Sequence, residues 1–216
     1  MSQEALIKLF FQLIDYSKVT VRIFFLTALF AVPIGMILMI GRMCKIRPIS
    51  YVVRLFLLVM RGTPLLLQLV AVYFVPPKVF DTYIEREVAA IVAMSLNYAA
   101  YFAEIYRSGF ESMPRGQYEA AQVLGFTKVQ CFFKIILPQV IKKIVPPMGS
   151  EFMTLIKDTA LVSCIGIPEL YERAQESMTT QSSVIPIIIA ACFYLIMNGC
   201  VAQVVHIVEK RLSYYK

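Results

Sequence analysis

Two groups of polar side chains recur at helical spacing inside strongly apolar stretches of this sequence. The groups are Asn97, Tyr101 and Glu104, and Glu151, Thr154 and Asp158. Spacings of three, four and seven residues place each group along one face of a helix. A charge at the centre of a membrane helix costs about 2.5 to 3.5 kcal/mol on insertion scales, so such residues point to function. The pattern predicts a polar cavity between two helices.

Asp158 is the strongest candidate for contact with a solute in this cavity. Its carboxylate could pair with the ammonium group of an amino acid or with a cationic side chain. Four further side chains are weaker candidates for substrate binding, namely Asn97, Glu151, Thr63 and Glu104. No group among them has the spacing of a metal site or of a catalytic constellation.

A structural ion pair is the alternative to substrate contact at these positions. Asp158 or Glu151 could pair with Arg61 or Lys157, or could lie nearer the membrane interface. Arg61 itself could bind a carboxylate through both guanidinium nitrogens, or anchor a helix at the inner surface. The anchoring role is slightly favoured.

The composition indicates that the elements that position these residues lie in a bilayer. The 216 residues are 59% hydrophobic and 16% charged, with a mean hydropathy of +0.70. A soluble domain is roughly half apolar and about a quarter charged. The net charge of +7 is dispersed beside apolar segments without a nucleic-acid-binding motif. Membrane orientation therefore explains the charge better than nucleic acid does, and no large soluble catalytic domain fits.

The sequence predicts an all-α integral membrane protein, a single permease domain over 1–216 with about five transmembrane helices. Gly62-Thr63-Pro64 and Pro76-Pro77 bound the regular part of the second span, and charges interrupt the fourth. Lys and Arg concentrate in the loops between spans one and two and between spans three and four, so these loops and the C-terminus are expected inside and the N-terminus outside. The predicted spans are 19–41, 51–76, 88–106, 140–161 and 184–208.

The loop at 107–139 is the longest polar stretch, and its sequence predicts a helix, a turn and a second helix. Ala120 and Ala121 favour a helix and carry little bulk, and Gly125 suits the left-handed position that ends one. Thr127 with Gln130 three residues later forms a capping-box pattern for a second helix. We expect Pro138 to interrupt that helix before the fourth span.

This loop resembles the EAA loop of ABC importer permeases. Glu119-Ala120-Ala121, three residues, Gly125, nine residues and then Ile135-Ile136-Leu137-Pro138 match the family pattern without a departure. In that family the short helix inserts into a groove on an ATPase subunit. The resemblance implies that Glu119, Ala120, Ala121 and Gly125 lie at or support the ATPase-coupling contact, with Pro138 closing the motif.

Three other segments resemble the permeases for polar amino acids over about residues 20–210. They are 61–68, 101–109 and 157–161, with Ala160 where Ser is commoner. The resemblance implies a bacterial plasma-membrane importer with two ATP-binding subunits, a second permease subunit that is identical or homologous, and an extracytoplasmic amino-acid-binding protein. The chain has no GxxxxGK[ST] phosphate loop, so it is expected to be no enzyme and to bind no cofactor, with ATP and Mg²⁺ on the partner ATPase.

Two other classes of protein remain open from the residues alone. A small channel or ion-coupled carrier acting by itself would explain the polar residues within spans, but gives no reason for the EAA pattern. A membrane scaffold that transports nothing would bind no solute in the cavity.

Overall fold

Helices account for all regular secondary structure in residues 3–212, the part of the chain that the computed structural model describes. A π-helical turn covers Phe132–Ile136, and a 3-10 segment covers Thr159–Ile165. The predicted all-α class is confirmed. The α-helices are α1 (Gln3–Met43), α2 (Arg47–Gly62), α3 (Leu65–Phe80), α4 (Arg86–Glu111), α5 (Arg115–Val123), α6 (Lys128–Cys131), α7 (Leu137–Asp158), α8 (Leu170–Gln181) and α9 (Ile185–Leu212).

Three helices in the described residues are long and apolar enough to cross a membrane, namely α1, α4 and α9. Helices α2 and α3 reach that standard only as a bent pair. Helix α7, which contains most of the predicted span 140–161, does not reach that standard, and its charged residues are Lys142, Lys143, Glu151, Lys157 and Asp158. The membrane class agrees with the prediction, and the count of about five spans stays a prediction.

The predicted second span, 51–76, contains a sharp bend at the predicted break, Gly62-Thr63-Pro64. Its two halves, α2 and α3, meet at an angle of 109°. Thr63 is extended, as expected of the residue before a proline, and Pro64 caps α3 with φ −61° and ψ 136°. Pro64 cannot donate a backbone hydrogen bond to the preceding turn, so the chain turns where the sequence predicted a break.

Pro76 and Pro77 do not end this region, contrary to the prediction. Both lie inside α3, which continues to Phe80 and ends at Asp81 in the left-handed conformation. Proline has a fixed φ that suits a helix and loses only its own backbone hydrogen bond when the preceding turn can adjust. The two prolines therefore weaken the last turns of α3 without stopping them.

Helix α1 begins well before the predicted first span, 19–41. Its first half is helical because Leu9 and Leu13 are buried against the start of α8 and the start of α9. Farther along, α1 packs closely against α4 at Gly35. A Cβ atom at that glycine would lie 2.9 Å from the Cβ atom of Phe102, so only glycine permits this approach.

Glu169 joins α1, α8 and α9 through hydrogen bonds. Its carboxylate accepts hydrogen bonds from the hydroxyls of Thr20 (3.3 Å) and Tyr194 (2.8 Å) and from the backbone N–H groups of Tyr171 and Glu172 (both 2.9 Å). The last two cap α8. Burial raises the pKa of this carboxyl above its ordinary value, and the four donors oppose that shift.

Candidate functional site

The loop after α4 folds as the sequence predicted, with a short exposed helix, α5, ending at Gly125. The N–H of Phe126 donates to the carbonyl of Ala121 and the N–H of Gly125 to that of Gln122, both at 3.0 Å. This pair of bonds is the Schellman ending of a helix, which requires a left-handed residue. Gly125 supplies it with φ +77°. The end of α5 is therefore fixed by backbone geometry.

The second helix of the loop begins at a complete capping box. The hydroxyl of Thr127 accepts from the N–H of Gln130 (3.2 Å), and the Gln130 side chain accepts from the N–H of Thr127 (3.0 Å). Only Leu124, Gly125 and Phe126 separate this cap from Val123, the last residue of α5. Two helices with mutually fixed ends give a rigid projection.

Pro138 does not interrupt the second helix, which corrects the prediction. The chain is helical without a gap from Lys128 to Asp158, and Pro138 lies in the first turn of α7. The turn before it widens into the π-helical form, in which Leu137 donates to the carbonyl of Phe132. A π turn relieves the proline because it re-registers the hydrogen bonds that Pro138 cannot make. The loop therefore connects directly to α7.

The tip of the loop exposes apolar side chains that have no partner within the described chain. Val123 is 87% exposed, Leu124 73% and Val129 66%. Glu119 and Ala120 are exposed on α5 beside them. Contiguous apolar side chains on a polar loop mark an interaction surface.

The opposite side of the loop packs onto the membrane helices. Ala121 is buried in an apolar cluster, hereafter the loop cluster, and so supports the surface rather than forming part of it. Lys143 of α7 also donates to the carbonyl (3.1 Å) and hydroxyl (3.2 Å) oxygens of Ser112, which ends α4. The buried members of the loop cluster are Met113, Ala121, Cys131, Ile136 and Val140.

A cavity of about 530 Å³ lies between α2, α4 and α7, beside the loop. Basic groups line it from Arg61 and Lys143, and carboxylates from Glu104 and Glu151. The guanidinium of Arg61 lies 5.4 Å from the ring centroid of Tyr101, within the range of a cation–π contact. The structure thus brings Glu104 and Glu151 of the predicted site into one cavity.

Glu104 is the centre of an ion cluster. It contacts Arg42 of α1 at 2.5 Å, Arg107 of its own helix, and Arg61 of α2 at 3.7 Å. Arg107 also contacts Glu111. One carboxylate beside three guanidinium groups thus joins α1, α2 and α4. Arg61 therefore pairs with Glu104 and also lines the cavity, and its two predicted roles stay predictions.

Asn97 and Thr63 meet at the bend between α2 and α3, outside the cavity lining. The Gln68 side chain donates to the carbonyl of Met60 (2.9 Å) and the hydroxyl of Thr63 (2.8 Å). Asn97 donates to the same Met60 carbonyl and to the side-chain oxygen of Gln68, both at 3.0 Å. These bonds are hereafter the bend network. They supply donors to the carbonyl of Met60, which would bond to the N–H of residue 64 in a continuous helix but cannot because Pro64 has none. They fix the bend to α4.

Asp158 ends α7 two turns beyond Glu151 and does not line the cavity. Its carboxylate accepts a hydrogen bond of 2.7 Å from the hydroxyl of buried Tyr98. No ion pair in residues 3–212 includes Asp158 or Lys157. The alternative of an ion pair with Arg61 or Lys157 is thus absent here, and Tyr98 is its partner instead.

Comparison with known proteins identifies the family of this chain. A family described as the inner membrane component of binding-protein-dependent transport systems matches residues 23–214. The chain belongs to this family. It is a membrane permease component and not itself an enzyme, as predicted.

Named relatives place the permease among amino-acid ABC transporters, as the predicted resemblance requires. It is 36% identical to the L-cystine transport system permease protein TcyB of Bacillus subtilis, over 91% of this chain and 84% of that protein. It is 35% identical to the putative glutamine transport system permease protein GlnP of Rickettsia conorii, over 95% and 94%. A crystal structure of an amino acid ABC transporter with histidines superposes with a TM-score of 0.89 at 32% identity, covering 98% of this chain and 99% of that one.

Three side chains of the permease that organise the site were missed from the sequence. Gln68 lies within a segment that carried the family resemblance, but nothing in its spacing indicated a bend. Tyr98 is adjacent to Asn97, yet the two point to different neighbours, α7 and the α2–α3 bend. Arg42 contributed only to the charge count that set the orientation. Helical periodicity groups residues by face and does not predict which helix each face meets.

Proposed function

We propose that the permease is the transmembrane subunit of an ABC importer that moves a polar amino acid inward, driven by ATP hydrolysis on a separate subunit. The observation that carries the proposal is the exposed apolar tip of a loop whose geometry is fixed on both sides. The names of the L-cystine and glutamine relatives support an amino-acid substrate.

In this proposal the ATPase binds the tip through Val123, Leu124 and Val129, with Glu119 and Ala120 on the same helix. Burial of each exposed apolar side chain contributes on the order of 1.5 to 3 kcal/mol. Ala121, Gly125 and Pro138 do not touch the ATPase. They keep the loop packed, turned and joined to α7.

Movement of the ATPase reaches the cavity through α7. The loop and α7 form one helical run from Lys128, and the loop cluster packs the two against α4. Glu151 lies on α7 at the cavity and Asp158 ends the same helix. A displacement of α5 therefore tilts the helix that carries both carboxylates. The π turn offers the least regular place for that helix to flex.

The cavity suits a zwitterion because it presents both signs of charge. We propose that Glu151 pairs with the substrate ammonium and Arg61 with the carboxylate, with Glu104 holding Arg61 in place. Asp158 remains a proposed contact at the far end of α7. Asn97 and Thr63 have their polar groups engaged in the bend network, so a substrate would reach them only by displacing Gln68.

The assembly we propose contains two ATP-binding subunits, a second permease subunit of identical or homologous sequence, and an extracytoplasmic amino-acid-binding protein. ATP and Mg²⁺ would bind to the ATPase, and this chain would bind no cofactor. The loop lies in the cytoplasm, as does the C-terminus, and the N-terminus lies outside.

Reconstitution into liposomes tests the proposal. Vesicles containing the complete importer and external binding protein are loaded with ATP or ADP and supplied with labelled glutamine, arginine or leucine. We expect uptake of a polar amino acid with ATP only, and none with the permease alone. Uptake by the permease without any ATPase would favour a channel or carrier, and absence of uptake and of bound solute in every condition would favour a scaffold.

A further inference from the structure

A second charged pocket lies at the inner end of the bundle, where α1 ends, α2 begins and α4 ends. It has a volume of about 420 Å³ and is separate from the substrate cavity. Arg42, Arg54 and Arg107 line it, with Glu111 as the acidic side chain of the lining. Ser50 also lines it and donates to the carbonyl of Arg42 at 2.8 Å, which joins α2 to the end of α1. The proposed transport cycle uses none of these contacts.

Basic side chains outnumber carboxylates in this pocket. Arg42 and Arg107 are held in place by Glu104 and Glu111. Arg54 takes part in no ion pair within residues 3–212, and neither do Lys45 and Arg47 in the adjoining turn. Three arginines and one carboxylate therefore line the pocket, and Lys45 and Arg47 add positive charge in the adjoining turn. An excess of positive charge around a preformed concavity selects an anion.

Helix α2 adds an apolar surface directly beside the basic groups. Ser50 and Arg54 of α2 line the pocket, and Arg47, three residues before Ser50, lies on the same face of the helix. Large apolar side chains are exposed on and beside this face, at Tyr51, Val52, Leu55 and Leu58. A phosphate group with acyl chains attached would satisfy the pocket and this surface together.

We propose that this pocket binds the phosphate headgroup of an anionic phospholipid, with the acyl chains against α2. The guanidinium of Arg54 binds the phosphate oxygens, and Arg42 and Arg107, positioned by their carboxylates, contribute charge. Positive residues that only orient the chain in the membrane would need neither a pocket nor this degree of side-chain fixation. The bound lipid would join α1, α2 and α4 at the end where the ATPase-binding loop begins.

Native mass spectrometry of the purified importer complex tests this site with phosphatidylglycerol and phosphatidylcholine as probes. We expect wild type to retain phosphatidylglycerol in preference to phosphatidylcholine, and Arg54→Gln to weaken retention of phosphatidylglycerol about fivefold. Arg54→Lys keeps the charge and should retain the lipid, which separates loss of the site from loss of folding. Arg211→Gln removes an exposed arginine from the last turn of α9 and serves as the matched control, with no expected change.

Two results would overturn the proposal. One is a failure of selectivity, in which wild type retains the two lipids equally or Arg54→Gln retains as much phosphatidylglycerol as wild type does. The other comes from a competition with inorganic phosphate at millimolar concentration, which we expect to leave the lipid bound. If phosphate displaces the lipid, and if binding of phosphate is weakened by Arg54→Gln, the pocket is a site for free phosphate and the assignment to a lipid fails.

Discussion

Gly125→Ala is the substitution that most sharply separates loop geometry from loop contacts. The added methyl group would meet no atom within 4 Å, so it makes no clash. Its effect comes from the backbone, because Gly125 has φ +77° and an L-residue in that conformation costs roughly 1 to 2 kcal/mol. The free loop can relax, whereas the docked loop needs the turn intact. Affinity for the ATPase should therefore fall by a factor of about 5 to 30.

Gly116→Ala is the control for this prediction. Gly116 lies within α5, and a methyl group there also meets nothing within 4 Å, but no positive φ is required. Alanine is a better helix former than glycine by about 1 kcal/mol, so α5 should if anything be stabilised. Gly125→Asn should fall between wild type and Gly125→Ala, because asparagine tolerates the left-handed region better than other L-residues.

The assay is equilibrium binding of the purified ATPase to the detergent-solubilised permease, with ATP-driven uptake measured on the same variants. We expect binding and uptake to decrease together for Gly125→Ala and to stay at wild-type values for Gly116→Ala. Wild-type binding by Gly125→Ala, or equal losses in the two variants, would refute the argument that the left-handed turn presents the docking surface.

Three further perturbations follow from other contacts. Gln68→Leu removes the centre of the bend network and should lower the free energy of unfolding by roughly 1 to 3 kcal/mol, seen as reduced thermal stability that exposed Gln203→Leu does not share. Glu151→Gln should raise KM for the amino acid while ATPase binding is unchanged, and an unchanged KM would remove Glu151 from the substrate site. Glu169→Gln should abolish a pH dependence of stability. The pKa of Glu169 is raised in the folded protein, so folding favours the protonated carboxyl. The stability that this protonation contributes is complete below the unfolded pKa of about 4.3 and is lost as pH rises through the folded pKa. Wild type should therefore lose thermal stability relative to Glu169→Gln from pH 4 towards neutrality, and parallel profiles would contradict this.

Local sequence signals predicted the loop in detail. Gly125, Thr127 and Gln130 specify backbone conformations through their own chemistry, so the helix end and the capping box could be predicted without knowing any tertiary contact. The break at Pro64 was foreseen for the same reason. Its 109° angle was not, because the direction of the chain after a break depends on Gln68 and Asn97, which belong to different helices.

Proline misled the prediction where a neighbouring segment could adjust. Pro76 and Pro77 lie within α3, and Pro138 begins α7 behind a π turn, although each was expected to end or interrupt a helix. Whether a proline stops a helix depends on whether the preceding turn can re-register its hydrogen bonds, which residue type alone does not reveal.

The surroundings of the residues predicted to contact a substrate were the least predictable part of the site. Asn97 and Glu104 lie on one helix at the spacing that predicted a shared face, yet Asn97 binds the bend and Glu104 binds arginines at the cavity. Asp158 turned out to pair with Tyr98 rather than with a cation. Each outcome was decided by which neighbouring helix lies opposite, and that information is absent from the spacing of a single helix.

Photo-crosslinking from the loop tip tests the central claim most directly. A photoreactive amino acid replaces Leu124 at the tip or, in the control, Tyr83, which is 85% exposed in the connection between α3 and α4. In membranes that contain the assembled importer, we predict a crosslink to the ATPase from position 124 and none from position 83. A crosslink to the ATPase from position 83 alone, or from neither position, would contradict docking of a separate ATPase on this loop.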